Sequence, residues 1–509
     1  MRCFPAKATA FSGMAVWLLC TAPLLRADQP TASTSPRPPN IVFILADDLG
    51  YGDLGCYGQK VIATPRLDRL AAEGLRFTQF YSGSTVCAPS RYVLMTGVHT
   101  GRGHIRGNGK MELRAGETTI ARRLHDRGYH TAVVGKWGLG HEGSTGVPSR
   151  QGFDHFFGYL DHIHAHNFYP TFLFRDDRRE PLRNVVPHEG PSGGGVATVR
   201  EQYAPDLFTA DALAYLDSRA KHPEQPFFLY LAYTSPHANN EAGNKGMEIP
   251  DYGDYADKPW PDPQKGTAAM ISRLDKDVGR VVDRLRERGL AEDTVVLFSS
   301  DNGPHREGGR DPDFFDSNGP HRGIKRDLTD GGIRVPLIAW GPGRVPAGKS
   351  TDHVAGFVDF FATALELAAD ERAASTTPTS GKPPSAEPDT SGFPPPGGVS
   401  FAPTLLGRSD QKPAEPLYWE FYERGFSQAV RAGEYKAIRH ADGRKLELYD
   451  VVRDPGEATD LADERPAIAQ RMADLMDATH VPSPDWPRKK HAPKGKATSA
   501  GTSRPQGRD

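Results

Sequence analysis

The chain has 509 residues, with 62 Lys plus Arg against 64 Asp plus Glu, a formal net charge of −2. That length accommodates a sizeable core and more than one domain. The balanced charge argues against a nucleic-acid binder or a membrane-surface binder working by net charge, while leaving room for a local basic pocket that takes a small anion.

Residues 1–27 read as a secretory signal: Arg2 and Lys7 supply positive charge, an apolar run follows over about 8–25, and Ala27 offers a cleavage site. No later segment has the length and apolarity of a bilayer span. The expectation is an exported protein, periplasmic or extracellular, with no stable membrane anchor. Of the four cysteines, Cys3 and Cys20 leave with the signal, so Cys56 and Cys87 remain. Two cysteines make no disulfide framework, and a Cys56–Cys87 bridge is the bland alternative for both. Residues 28–39, rich in Pro, Ser and Thr, read as a linker.

A main domain is predicted over 40–372. Ile41-Val42-Phe43-Ile44-Leu45 is an unbroken apolar run, suited to a central parallel strand covered on both faces. It ends in Asp47-Asp48, two carboxylates that need either solvent or a bound divalent cation. Thr64-Pro65 and Gly74 bracket a short helix, with Thr64 expected as its cap and Leu67, Leu70 and Ala71 inward. Residues 87–91, Cys-Ala-Pro-Ser-Arg, feed the apolar Val93-Leu94-Met95. Pro89 suits the first turn of a helix, which puts Cys87 just before the N-terminus and Arg91 about one turn on. Both features would depress the thiol pKa; an inert buried cysteine is the other reading.

A helix holding Ile120 and Leu124 closes at Gly128, and a strand over 131–134 leads to Lys136. A helix over 210–216 precedes a strand over 227–232 that runs into His237. A long helix carries Ile271, Leu274, Val278, Val281 and Leu285 on one stripe and stops at Gly289. The strand over 295–298 runs into Asp301-Asn302. Alternating strands and helices predict a mostly parallel sheet with helices on both faces. Each of these strands ends in polar residues, and in open α/β sheets the ligand crevice lies beyond the carboxyl ends. Asp47, Asp48, Lys136, His237, Asp301 and Asn302 are therefore expected to converge.

Lys325 precedes Gly331-Gly332-Ile333-Arg334, an apolar strand over 337–340 and a helix over 357–367. Residues 373–398, mostly Pro, Ser, Thr and Gly, read as a low-complexity loop. Strand-like runs at 417–421, 427–431, 435–438 and 446–449 suggest a small antiparallel sheet. A helix near 467–478 closes this smaller C-terminal α+β subdomain, predicted over 399–484. Residues 485–509 form a basic tail expected to be disordered.

Cys-x-Pro-Ser-Arg at 87–91, followed by Leu-x-Thr-Gly at 94–97, resembles the activation motif of the type I, formylglycine-dependent sulfatases. Asp47-Asp48, Gly135-Lys136-Trp137, His237, Asp301-Asn302-Gly303, and Lys325 ahead of Gly331-Gly332-Ile333-Arg334 fall in that family's order. The resemblance extends from Ile41 to about Asp450. It implies an alkaline-phosphatase-like α/β fold and an arylsulfatase-like sulfuric ester hydrolase, acting on aryl or carbohydrate sulfate esters of small molecules or glycans. It further implies that a formylglycine-generating or equivalent maturation enzyme oxidises Cys87 to formylglycine. One Ca²⁺ would be held by Asp47, Asp48, Asp301, Asn302 and the modified Cys87. The implied catalytic residues are Cys87, Arg91, Lys136, His237 and Lys325: a nucleophile at 87 attacks sulfur, His237 or Lys325 assists the leaving oxygen, and the cations stabilise the sulfuryl oxygens. Two positions depart from the family pattern. Val98 stands where an arginine is usual, and Gly138 where many members carry a histidine, the proposed base for the elimination step; His141, His164, His166 or water are candidates to replace it. Arg102, Arg106, Asn108 and the stretches 161–169 and 239–257 are candidates for the pocket mouth. Two alternatives stand beside this reading: a phosphate or phosphonate ester hydrolase of the same superfamily, with two metals, and a non-catalytic exported glycan-binding protein whose Cys87 stays a thiol.

Overall fold

The computed structural model describes residues 37–109, 111–369 and 393–488. The expected signal at 1–27, the linker before residue 37, residues 373–392 of the low-complexity loop and 489–509 of the tail lie outside the described residues.

The main sheet contains β1 (Asn40–Ala46), β2 (Leu75–Tyr81), β3 (His130–Lys136), β4 (His155–Tyr159), β5 (Phe172–Arg175), β6 (Arg178–Pro181), β7 (Phe227–Ala232), β8 (Thr294–Ser300), β9 (Arg334–Trp340), β10 (Lys349–Thr351) and β11 (Ala355–Gly356). Their order is β10-β2-β9-β8-β1-β7-β3-β4-β5-β6, with β11 beside β2. The centre, β8-β1-β7-β3-β4, is parallel throughout. Beyond it the sheet is mixed: β9 runs antiparallel to both β8 and β2, and the β5–β6 hairpin closes the other edge. The reversal at β9 matters for the site. An antiparallel neighbour needs no crossover, so the chain between Ser300 and Arg334 starts and ends at the carboxyl end of β8, and Lys325 remains there.

The helices are α1 (Pro65–Ala72), α2 (Cys87–Thr96), α3 (Ile120–His125), α4 (Ala204–Arg219), α5 (Asp262–Glu287), α6 (Asp330–Ile333), α7 (Phe357–Leu367), α8 (Ala402–Leu405) and α9 (Pro466–Thr479). All seven residues of β1 are buried, and successive side chains point to opposite faces. Ile41, Phe43 and Leu45 pack with Val93 and Met95 of α2, Leu124 of α3 and Phe360 of α7. Val42, Ile44 and Ala46 pack with Leu67 of α1, Phe208 of α4 and Ile271, Leu274 and Val278 of α5. A strand apolar on both faces is thus the layer between two helical coats.

Two local expectations are corrected. Thr64 does not cap α1: its hydroxyl accepts from Gly55 N at 2.8 Å and donates to Asp68 Oδ1 at 3.2 Å. The open α1 amides of Arg66 and Leu67 donate instead to the Asp275 carboxylate of α5, at 3.1 and 2.7 Å, so the cap comes from another element. Helix α2 begins at Cys87 itself, with Val86 before it; Pro89 lies within the first turn and still has no amide to leave unpaired.

A second sheet, β12 (Leu417–Phe421), β13 (Ser427–Ala432), β14 (Tyr435–Arg439) and β15 (Glu447–Asp450), is antiparallel in chain order. Met472 and Met476 of α9 cover one face. On the other, Trp419, Phe421, Ile438 and Tyr449 pack with Tyr81, Val86, Leu328 and Ile333 of the main domain. Among the described residues, no helix is long and apolar enough to cross a membrane.

Candidate functional site

Four of the five parallel strands, β1, β3, β7 and β8, deliver polar side chains to one place. Asp47 and Asp48 follow β1, Lys136 ends β3, His237 follows β7, and Asp301 and Asn302 follow β8. Helix α2 brings Cys87 and Arg91. All eight of these, and Lys325, are buried. Asp48 sits in the left-handed region at φ +65°, a conformation aspartate tolerates, and its amide donates to Asp301 Oδ1 at 3.1 Å.

Cations and carboxylates interlock. Lys136 Nζ is 2.6 Å from Asp47 Oδ2. Arg91 reaches Asp301 Oδ2 at 2.9 Å and Asp47 Oδ2 at 3.6 Å, and also donates to Lys136 O at 2.6 Å. Lys325 Nζ donates to Asp48 Oδ2 at 2.8 Å, to Glu307 Oε2 at 3.1 Å and to His237 Nε2 at 3.3 Å. Asn302 Nδ2 donates to Asp48 Oδ1 at 2.6 Å. Burial works against the Asp48 charge, yet the Lys325 ammonium, hydrogen-bonded to it, holds its carboxyl well below the usual range. Burial also works against the Lys136 ammonium, but Asp47, with Cys87 and Asp301 beside it, raises the pKa on balance. Asp301 is pushed up to about 7, by burial and then by the neighbouring Asp47 carboxylate.

Asp47 Oδ1 and Asn302 Oδ1 are buried with no hydrogen-bond partner among the described residues. Buried oxygens are rarely left so. Two orphaned oxygens beside carboxylates that repel one another make an all-oxygen donor set that fits a hard divalent cation. Asp48, His305 and Glu307 also lie close enough to share an ion. There, however, the Lys325 ammonium stands between Asp48 and Glu307. Both His305 nitrogens are engaged, Nε2 with Pro236 O at 3.0 Å and Nδ1 with Glu307 N at 3.0 Å.

Cys87 is 3% exposed, and its Sγ lies 3.5 Å from Asn108 Oδ1, which also accepts from Ala88 N at 3.2 Å. The expected depression of its pKa is reversed: burial first, and the Asp47 and Asp301 carboxylates with it, push the thiol up against the pull of Lys136 and Lys325. Cys56 and Cys87 are both free thiols, so the bridge between them is absent.

The three candidate histidines separate. His164 is buried between the rings of Tyr159 and Phe172, at centroid distances of 4.8 and 4.5 Å. His141 pairs with Asp161 at 3.1 Å. Only His166 packs on a residue of the cluster, its ring stacked on His237 at 5.1 Å and 12°. Arg106, expected at the mouth, is buried and paired with Glu420 at 3.1 Å, where it ties the second sheet to the first domain. Sequence reasoning missed Glu307 and His305, although both follow a strand end within a few residues of Asn302. It also left Glu241 undistinguished within the stretch 239–257.

A family model described as Sulfatase matches residues 39–370. The N-acetylgalactosamine-6-sulfatase of Canis lupus familiaris is 33% identical over 433 residues, covering 80% of this chain and 72% of that protein. Arylsulfatase A of Homo sapiens is 31% identical over 498 residues, covering 86% and 87%. The crystal structure of PsFucS1 sulfatase from Pseudoalteromonas sp. matches with a TM-score of 0.66 at 23% identity, over 89% of this chain and 92% of that one.

Proposed function

The chain belongs to the sulfatase family and is a sulfuric ester hydrolase, and from that premise we propose that it releases sulfate from carbohydrate sulfate esters, using formylglycine made from Cys87 and one Ca²⁺ held by Asp47, Asp48, Asp301 and Asn302. The observation that carries this reading is the buried gathering of three carboxylates, an asparagine oxygen and three cations around Cys87, with Asp47 Oδ1 and Asn302 Oδ1 unpartnered. The carbohydrate substrate is taken from the relative named N-acetylgalactosamine-6-sulfatase. The signal-like residues 1–27 support export from the cytoplasm, and a formylglycine-generating or equivalent enzyme would be its maturation partner.

Formylglycine at position 87 would supply a hydroxyl nucleophile for sulfur, and Ca²⁺ held by Asp47, Asp48, Asp301 and Asn302 would supply positive charge against the developing anion. The rest is the work of ordinary side chains. Arg91, Lys136 and Lys325, all buried, direct fixed positive charge at a dianionic transition state. Arg91 also fixes Asp301 and the Lys136 backbone. His237 donates from Nδ1 to Ala238 O at 2.7 Å; a carbonyl can only accept, so Nδ1 carries the hydrogen and Nε2 a lone pair. Burial and the adjacent Lys325 hold His237 well below the usual imidazole range. It is therefore neutral and orients Lys325.

A two-metal phosphatase is disfavoured because the Lys325 ammonium takes the place of a second cation between Asp48 and Glu307. The test is co-expression with a maturation enzyme, mass analysis of the Cys87 peptide, and assay against sulfated sugars, aryl sulfates and phosphate esters. The expected result is an aldehyde at 87 with sulfate release. Phosphate release alone would indicate the phosphatase, and an intact thiol with binding but no hydrolysis the glycan binder.

A further inference from the structure

The connection between β8 and β9 that carries Lys325 also delivers Arg310, which is buried. The two ends of its guanidinium fork hold different partners. Nη1 donates to the main-chain oxygen of Asp48 at 3.0 Å. Nη2 donates to Asp53 Oδ2 at 2.7 Å and to Ser317 Oγ at 3.2 Å. Asp53 Oδ2 in turn accepts from Gly50 N at 2.7 Å. One guanidinium thus grips the turn after β1 at two points: the carbonyl of residue 48 and, through Asp53, the amide of residue 50.

Asp48 needs such a grip. Its φ of +65° lies in the left-handed region, where the Cβ of an L-residue crowds a carbonyl oxygen. Residues in that region persist when their surroundings over-determine them. Both peptide groups of Asp48 are accordingly fixed, the amide by Asp301 Oδ1 at 3.1 Å and the carbonyl by Arg310. Asp301 is itself a candidate metal ligand; Arg310 is not. The Arg310 contact is with a main-chain oxygen, so it does not compete with an ion for the Asp48 carboxylate. Nor is the Arg310–Asp53 pair a strong brace in its own right. Both side chains are wholly buried, and Arg310 Nε and Asp53 Oδ1 have no hydrogen-bond partner among the described residues. A buried ion pair with unsatisfied atoms is a poor source of stability.

We propose that Arg310 is a positioning residue for the metal: by clamping the Asp48 carbonyl it keeps Asp48 in the left-handed conformation that sets its carboxylate beside Asn302. Without the clamp, Asp48 returns for part of the time to ordinary backbone conformations. The site is then complete in only a fraction of the molecules, and the apparent Kd for Ca²⁺ rises by the inverse of that fraction. The left-handed penalty of a residue other than glycine sets the rise at about 5- to 30-fold. Because the effect acts through affinity, excess Ca²⁺ restores the rate. This inference rests on the Ca²⁺ reading above and is independent of the identity of the sulfated substrate.

The test measures the Ca²⁺ affinity of the matured protein by competition with a chromogenic chelator, and beside it the melting temperature of the ion-free protein. Arg310→Lys keeps a cation opposite Asp53, but a single ammonium does not reproduce the two-nitrogen fork. Arg310→Met combined with Asp53→Asn removes both buried charges together and takes its place if the lysine variant does not fold. The expected result is a Kd raised about 5- to 30-fold, with release of sulfate from 4-nitrophenyl sulfate lost at limiting Ca²⁺ and recovered at saturating Ca²⁺. A residue that merely braces the loop would lower the ion-free melting temperature and leave Kd where it was. A folded variant whose Kd stays within about twofold of wild type, or whose rate excess Ca²⁺ does not restore, would therefore overturn the proposal while leaving the Ca²⁺ reading intact. A wild type that takes up no Ca²⁺ would overturn both.

Discussion

Three carboxylates stand together at the end of β1 and β8, and their mutual repulsion is what makes bound positive charge valuable there. Chelation of the metal from the matured protein is expected to abolish sulfate release and lower the melting temperature. Ligand linkage gives about 2.7 kcal/mol of stability at a free metal concentration 100 times Kd. Asp47→Ala should remove the dependence of the melting temperature on Ca²⁺, as scanning calorimetry with and without the ion would show; a variant still stabilised by Ca²⁺ would place the ion elsewhere. At this scale the sequence was legible where a residue's role follows from its position on a strand. Asp47, Lys136 and Asp301 lie together because parallel strands deposit their last residues at one edge. Glu307 and Glu241 were not legible, since nothing in a run of residues says that Glu241 will meet His166, 75 positions earlier. The direction of the Cys87 pKa was misread because a helix start and an arginine are visible in sequence, whereas complete burial is not.

Among the elements, β9 does the most for the site by running backwards. Because it returns beside β8, the whole connection that carries Lys325 stays at the catalytic edge; a crossover helix would have taken it to the other side. Alternating strands and helices forecast the parallel centre, but not this reversal, because Leu337-Ile338-Ala339-Trp340 is apolar in either direction. The β5–β6 hairpin was missed for a different reason. Its second strand, Arg178–Pro181, is largely exposed and charged, so it carries no alternation to read. Helix α7 was legible to its ends, and it holds a pH-sensitive cap. Asp359 accepts from Gly356 N at 2.8 Å and from Val399 N at 2.7 Å, and burial raises its pKa to about 7 against those two hydrogen bonds. The folded pKa lies above the unfolded value of about 3.9, so the native state binds the proton more tightly. The stability this gives is complete below about pH 4 and is lost as pH rises through about 7. Asp359→Asn should sacrifice about one hydrogen bond, about 1 kcal/mol, and flatten that part of the curve of melting temperature against pH. An unchanged slope would mean that another group titrates there.

For the molecule as a whole, the second sheet is fastened to the first domain by charge as well as by apolar packing. Lys436 Nζ of β14 is 2.7 Å from Asp330 Oδ1 and 2.9 Å from Glu457 Oε1, all fully buried. Tyr81 and Arg334 also hold Asp330, at 3.0 and 3.2 Å. Removing one member of such a set leaves uncompensated buried charge, at a cost of about 3–5 kcal/mol. Lys436→Met should therefore melt earlier and expose residues beyond Phe401 to limited proteolysis before the main domain is cut. Unchanged melting and digestion would show that apolar packing alone fastens the two parts. The same junction also closes over helix α2, all ten of whose residues are buried. Trp419 Nε1 donates to Ser82 O at 2.8 Å, and Val86 packs beneath the same sheet. A ribosome releases residue 87 long before residues 301, 325 or 419, so the newborn segment has a period with no roof over it. Any enzyme that must grip this stretch to edit its sulfur works against a deadline, and the late-made end of the polypeptide sets it.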